Sequence, residues 1–324
     1  MTGAHLGLAF AAACPTVPPG VSVQRLSGYY IFFIICAATL TTRAVLDSSF
    51  RNSTLLYILI PFAISIALHL AIPVGQGESP VQRYGRHMRA ATIVMLASSA
   101  LLFEGFLCVL FFMPIYYVMV TIGFLFSLLA DRDGGGHAGA YAIPVVVAVL
   151  AAEGLTGPTS VPRYNEATYT QVLPGSIESL QANMAKPIRF EAKRHWFLWL
   201  FPMPTRVEAG TLKAGDVHRL HFVYRRWFFT NIQRGDMAIR IAEVSPARIR
   251  TQLVQNDSYL FHYMKIDGTE VRFRDVGGGR TQVSLTVKYH RLLDPSWYFG
   301  PMERLAARQS ARYLIDTIIA RKDG

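Results

Sequence analysis

Cysteine is scarce in this chain: Cys14, Cys36 and Cys108 are its only three, all before residue 156. Residues 156–324 therefore carry no disulfide framework and no zinc-type spacing. Charge is also scarce at 16%, and it is unevenly spread. Through Leu155 there are 7 Lys/Arg against 6 Asp/Glu, and from Thr156 onward 25 against 15, so +10 of the net +11 sits in the second part. The glycine runs 134–136 and 277–279 lack the Lys and Ser/Thr that follow a phosphate-cradling loop. His218, His221, His262 and His290 have no Ser, Cys or carboxylate at a recognisable catalytic spacing, so no catalytic residue is assigned. Only Glu104 stands near Cys108, too few ligands for a metal, and no cofactor is expected. The high pI invites a nucleic-acid reading, but no binding motif is present and Asp and Glu are interspersed among the basic residues.

What is plentiful before residue 156 is apolar sequence. Residues 28–46 and 55–74 each approach the ~20 residues that cross a ~30 Å hydrocarbon core. Residues 90–130 stay apolar long enough for two spans, with a reversal expected around residues 112–114 at Pro114. The last run, 140–155, is short for a span. About five spans are expected for residues 1–155. Arg83, Arg86 and Arg89 lie between the second and third runs, and the positive-inside rule puts that connection in the cytoplasm. With five spans, the reading preferred here, the remainder then lies on the non-cytoplasmic side, and with four it lies in the cytoplasm. Glu104 is the notable residue here, because an ionisable group in an apolar run costs roughly 2.5–3.5 kcal/mol and faces a partner or a cavity.

Residues 156–324 read as antiparallel β with helices at the ends. Strands are expected over 164–173, 205–212, 218–230, 237–244 and 247–254, with a short helix over 176–185 and a turn at Ser245 and Pro246. Residues 269–275 and 280–290 alternate about the glycine run as a hairpin, Val271 and Phe273 sharing a face with Val283, Leu285, Val287 and Tyr289. From about residue 300 to 322, Ala307, Ala311, Leu314, Ile315 and Ile318 recur at helical spacing, with Pro301 placed in the first turn. A long helix packed on a curved sheet leaves space between the two.

The stretch GGGRTQVSLTVKYHRLLDPSWYFGPMERLAARQSARYLIDTI, residues 277–318, resembles the end of helix-grip domains of the START-like or SRPBCC superfamily, which includes polyketide cyclase/dehydrase-type sequences. In FEGFLCVLFFMP, Glu104, Gly105, Cys108 and Pro114 resemble a pattern in bacterial membrane proteins whose C-terminal part is such a domain. The resemblance implies an α+β domain with a curved antiparallel sheet wrapped on a C-terminal helix, fused to a membrane helical bundle in the bacterial inner membrane. It also implies a hydrophobic small molecule, lipid or isoprenoid-like, bound between sheet and helix, with the bilayer as the other partner.

On that reading the cavity candidates are Phe222, Tyr224, Ile239, Ile241, Thr251, Leu253, Gln255, Phe273, Leu285, Val287 and Tyr289, of which Thr251 and Gln255 could orient a ligand oxygen. Trp196, Trp199 and Phe201, flanked by Lys193, Arg194 and Arg206, read either as a membrane-interface segment or as a buried apolar strand or turn of the domain, since so short a run is ambiguous by periodicity. Two alternatives stand beside a binding or transfer module: an enzyme with an acid/base pair in the cavity, and an assembly protein whose cavity has collapsed.

Overall fold

The computed structural model describes residues 54–72, 75, 77–101, 106–132, 138–153, 161–188, 190, 195–208, 211–227 and 230–321. The apolar run 28–46, Glu104, Cys14, Cys36, Lys193, Arg194 and Phe228 lie outside the described residues.

Four helices precede the sheet: α1 (Leu55–Ala71, its first turn π-helical), α2 (Pro80–Leu101), α3 (Phe106–Arg132) and α4 (Ala138–Ala151). On α1, Ile58, Phe62 and Ile66 recur every fourth residue, and all three are fully buried against α3 residues such as Ile115, Met119 and Phe126. The two helices come closest at Gly123, where an added Cβ would lie 2.7 Å from the Ser65 Cβ, a small-on-small crossing. Ser65 Oγ donates to Val120 O at 2.7 Å and lies 2.9 Å from His87 Nε2 of α2, so one hydroxyl joins three helices. Farther along, His69, Arg83 and Asp131 meet within 3.4 Å.

Helices α2 and α3 run antiparallel. The Tyr116 hydroxyl donates to Ala91 O at 2.7 Å, Thr92 meets Tyr117 at 2.9 Å, and Tyr84 meets Thr121 at 2.9 Å. The reversal expected at residues 112–114 is not found there. Pro114 instead sits inside α3. A proline removes one backbone bond and bends a helix, and neighbouring helices keep it in place. Arg83, Arg86 and Arg89 likewise belong to the first turns of α2 rather than to a loop.

Among the described residues, one helix is long and apolar enough to cross a membrane, Val109–Asp131. Leu55–Ala71 and Ala142–Ala151 are apolar but shorter. Five spans are thus not found in the described part. Ile93, Leu96, Val118, Leu125, Val145, Val146 and Val149 all point outward from the helices and are exposed.

The second part is a seven-stranded antiparallel sheet in the order β1-β7-β6-β5-β4-β3-β2. Its strands are β1 (Tyr164–Pro174), β2 (Met203–Glu208), β3 (Val217–Trp227), β4 (Thr230–Val244), β5 (Arg248–Asn256), β6 (Met264–Gly277) and β7 (Arg280–Arg291). A short helix α5 (Ile177–Met184) follows β1, capped where Ser176 Oγ accepts from Ser179 N. A 3₁₀ turn, Trp196–Leu200, precedes β2. The long closing helix α6 (Ser296–Leu314) ends in a π turn, Ile315–Ile319. The β6/β7 hairpin turns through Gly277, Gly278 and Gly279, all at positive φ, a conformation glycine adopts without a steric penalty.

Along β7, Thr281, Val283, Leu285, Val287 and Tyr289 are buried and alternate with partly exposed residues, the period expected of a sheet with one covered face. The cover is α6, through Phe299, Ala306, Ala307 and Ala311. The expected helix-grip architecture is thus what the chain adopts. The helix differs in one respect: it begins at Ser296, so Pro301 lies a turn and a half inside it rather than in its first turn.

Five register shifts curve the sheet around α6: between Pro204 and Arg206 in the β2/β3 pairing, between Ala238 and Ile239 and between Ile241 and Glu243 in the β4/β5 pairing, and, in the β6/β7 pairing, between Asp275 and Gly277 and between Ile266 and Gly268. At the last, a Cβ on Gly268 would stand 2.1 Å from Thr251 O, a backbone atom that cannot yield. Gly268→Ala is expected to destabilise the domain by about 2–3 kcal/mol, read as a drop in the Tm of the purified chain. An unchanged Tm would mean that β5 and β6 do not approach this closely.

Candidate functional site

Between the sheet and α6 lies a cavity of about 220 Å³. An apolar void of about 150 Å³ already admits benzene, so this one holds roughly nine non-hydrogen atoms by proportion. The space between sheet and helix is open, which removes the collapsed-cavity expectation. It exists because α6 presents small residues, Ala306, Ala307 and Ser310, to the curved sheet, whose inner face supplies longer apolar side chains.

Of the residues expected there, Phe222, Ile239, Ile241, Thr251, Leu285 and Val287 line the cavity. The others do not. Phe273 and Tyr289 lie on the inner face but belong to the packed core beside the void. Tyr224 stacks on Tyr259 with ring centroids 4.7 Å apart. Leu253 is half-buried opposite Ile239, at the edge of a bulge. That bulge puts Gln255 in register with Ala238 rather than with the inner-face Met237, and Gln255 is exposed and donates to Asp257 at 2.6 Å. One extra residue has reversed the alternation from which its inward direction was read.

The interface segment divides as well. Trp196 and Trp199 are exposed, at 68% and 59%. Phe197, Leu198 and Phe201 are buried, and Phe201 forms part of the cavity wall. Phe201 and Phe197 both pack on Phe111 of α3, with centroids 5.6 Å and 6.0 Å away. The cavity wall therefore rests directly on the longest apolar helix.

Among the described lining residues none is Lys, Arg, Asp or Glu, and the polar groups are His218, Thr251, Thr269 and Ser310. The threonines largely satisfy one another. Thr269 N donates to Thr251 Oγ1 at 3.0 Å, and the two hydroxyls are 2.8 Å apart. His218, not among the cavity residues expected from the sequence, is buried on β3 and lines the cavity. Its signal was available, since it shares the inner face of β3 with Leu220 and Phe222.

A second polar cluster joins the helices to the domain where α6 begins. Arg291 Nη1 donates to Asp294 Oδ1 at 2.5 Å and to Leu293 O at 2.8 Å, and Arg163 Nη2 donates to Asp294 Oδ2 at 2.7 Å. Glu153, just past α4, accepts from Ser296 N at 2.9 Å and lies 3.7 Å from Arg291. It thereby caps the N-terminus of α6, where a carboxylate is favoured. The Tyr298 hydroxyl donates to Phe111 O at 2.8 Å, and Tyr57 meets Phe299 edge-on at 4.9 Å.

Glu303 completes this cluster. It is 5% exposed, and among the described residues neither carboxyl oxygen has a hydrogen-bond partner that meets the usual geometry. Burial pushes its pKa up to about 8, opposed by the charge of Arg291. Burial also raises Asp294, against the pull of Arg163 and Arg291. Sequence reading missed Glu303 because it adjoins Arg304, though its spacing of three and four residues from Ala306 and Ala307 marks the inward stripe.

No family model and no curated protein sequence matches the chain. Solved structures do match. A norcoclaurine synthase from Thalictrum flavum, in complex with dopamine and hydroxybenzaldehyde, is 12% identical over 48% of this chain and 84% of its own, with a TM-score of 0.32. A START superfamily protein from Mycobacterium smegmatis is 14% identical over 48% of this chain and 95% of its own, with a TM-score of 0.33. A protein from Chromobacterium violaceum is 16% identical over 49% and 99%, with a TM-score of 0.30. At such identities and TM-scores the likeness carries nothing about ligand or reaction.

Proposed function

We propose that the chain is a membrane-anchored carrier whose helix-grip cavity binds a neutral hydrophobic small molecule and exchanges it with the bilayer. One observation carries the reading: an apolar cavity with no charged group among its described lining residues shares the wall residue Phe201 with the packing surface of α3. A charged ligand would lose its hydration there without a counterion, at a cost of several kcal/mol. A neutral apolar one gains about 25 cal/mol for each Å² removed from water.

The anchor in this reading is α3 with α1, α2 and α4 around it, and the outward apolar residues of α2, α3 and α4 meet lipid. Arg83, Arg86 and Arg89 start α2 at the end opposite the domain, which under the positive-inside rule favours a domain on the non-cytoplasmic side. Trp196 and Trp199, exposed on the 3₁₀ turn whose Phe197 packs on Phe111, fit the headgroup region.

The experiment is purification of the full chain from its membrane, followed by mass spectrometry of extracted small molecules. A stoichiometric neutral apolar compound is expected. Ala307→Phe, which places a ring in the cavity, should reduce the co-purified compound at least tenfold while the Tm stays within a few degrees. Preparations of the folded native chain that are consistently empty would overturn the proposal.

A further inference from the structure

His218 is 8% exposed, and its ring forms part of the cavity wall on β3. Its Nε2 lies 3.2 Å from Thr211 O. A carbonyl oxygen only accepts, so Nε2 carries the hydrogen and Nδ1 of the neutral ring is left as an acceptor. No hydrogen bond to Nδ1 is found among the described residues. Nδ1 therefore keeps its acceptor capacity for a molecule in the cavity, and the other lining polar groups bring no donor to it: the two threonines spend their hydroxyls on each other at the Gly268 bulge, and no bond from Ser310 to it is found among the described residues.

A ligand that completes this site brings a hydrogen-bond donor. A carboxylate or phosphate brings only acceptors and negative charge, and an ether or ketone brings no donor. An ammonium brings a donor with a charge that no described lining residue balances. The uncharged group that fits is a hydroxyl. Resting on the cavity reading above, we infer that the ligand is an apolar alcohol whose hydroxyl donates to His218 Nδ1, and that this contact sets the preference for alcohols over other apolar molecules of the same size.

Three probes of matched length separate the alternatives: 1-octanol, heptyl methyl ether and octanoate, each titrated against the full chain in detergent micelles and read by native mass spectrometry. The alcohol is expected to bind about tenfold more tightly than the ether, the effect of one hydrogen bond made inside an apolar cavity, and octanoate most weakly. In His218→Phe the alcohol should fall to the level of the ether while ether binding holds, which also shows that the cavity is intact. His218→Gln keeps a side-chain acceptor and should retain part of the preference. Equal binding of alcohol and ether by the native chain, or octanoate binding best, overturns this inference and leaves the carrier reading standing. Failure of all three probes to bind overturns the carrier reading and this inference with it.

Discussion

Replacing Arg291 by Met should destabilise the chain by about 3–5 kcal/mol, the usual cost of removing one partner from a buried ion pair. The guanidinium is 4% exposed, as is the carboxylate of Asp294 that it contacts at 2.5 Å. Met preserves the volume, so the expected loss reports on charge rather than on a cavity. What remains is a buried Asp294 balanced by Arg163 alone, a Leu293 carbonyl without its donor, and Glu153 without its nearest cation. The effect should reach beyond the site, because residues 291–295 set where α6 starts and α6 forms one wall of the cavity. A double-mutant cycle with Asp294→Asn should give a coupling of at least 1 kcal/mol by thermal unfolding. A Tm shift of only a degree or two for Arg291→Met would show that the cluster is wet and the pair weak.

Where periodicity was undisturbed, the fold could be read from the sequence. The β6/β7 hairpin is the clearest case: eleven residues of strict alternation over 280–290 fix which face is buried, and three consecutive glycines allow the turn. The inward stripe of α6 followed from the same reasoning at helical spacing. The errors fall where a local rule was broken. Gln255 was placed inward by counting twos along β5, and a bulge at Leu253 and Val254 reverses the count. Bulges leave little trace in one sequence, because the extra residue can be of any type. Pro114 was read as a turn because proline usually ends a helix, yet α3 runs through it with partners on several sides. In both cases tertiary packing overrode a local preference.

The candidate site was half legible for a related reason. Apolar inner-face residues such as Ile239, Ile241 and Val287 follow from alternation, but which of them face a void and which face neighbours depends on how far α6 stands from the sheet. Phe273 and Tyr289 share a face with Leu285 and Val287 and still lie in packed core. The void opens opposite Ala306, Ala307 and Ser310, so helix side-chain size decides it, and those small residues are unremarkable when read alone. His218 and Glu303 were passed over because charged and titratable residues are assigned to solvent by default.

Glu303→Gln should remove most of the pH dependence of stability between pH 4.5 and 8. The carboxyl is raised from its usual 4.5 to about 8. The sign follows from linkage: between those values the folded chain keeps a proton that the unfolded chain has released, so stability falls as pH rises through the window. Each pH unit removes about 1.4 kcal/mol, giving roughly 4–5 kcal/mol in all as an upper bound. Gln is uncharged throughout. It brings two donors into a buried place at a cost of about 1–2 kcal/mol, so at pH 8 the variant should be more stable than the native chain by about 2–3 kcal/mol, and at pH 5 equal or slightly less stable. Thermal unfolding at pH 5, 6.5 and 8 reads the crossing, and parallel profiles for the two proteins would exclude a buried neutral Glu303. A charge count leads to the same result. Arg163 and Arg291 face the three carboxylates of Glu153, Asp294 and Glu303, so the cluster is neutral only with one proton bound. Glu303 stands one turn from Ala306 and Ala307 of the cavity wall, and a neutral carboxyl there keeps net charge away from an apolar ligand. Ionising it would place an unbalanced negative charge beside the void, so ligand binding is expected to weaken over the same pH range in the native chain and to stay level in Glu303→Gln.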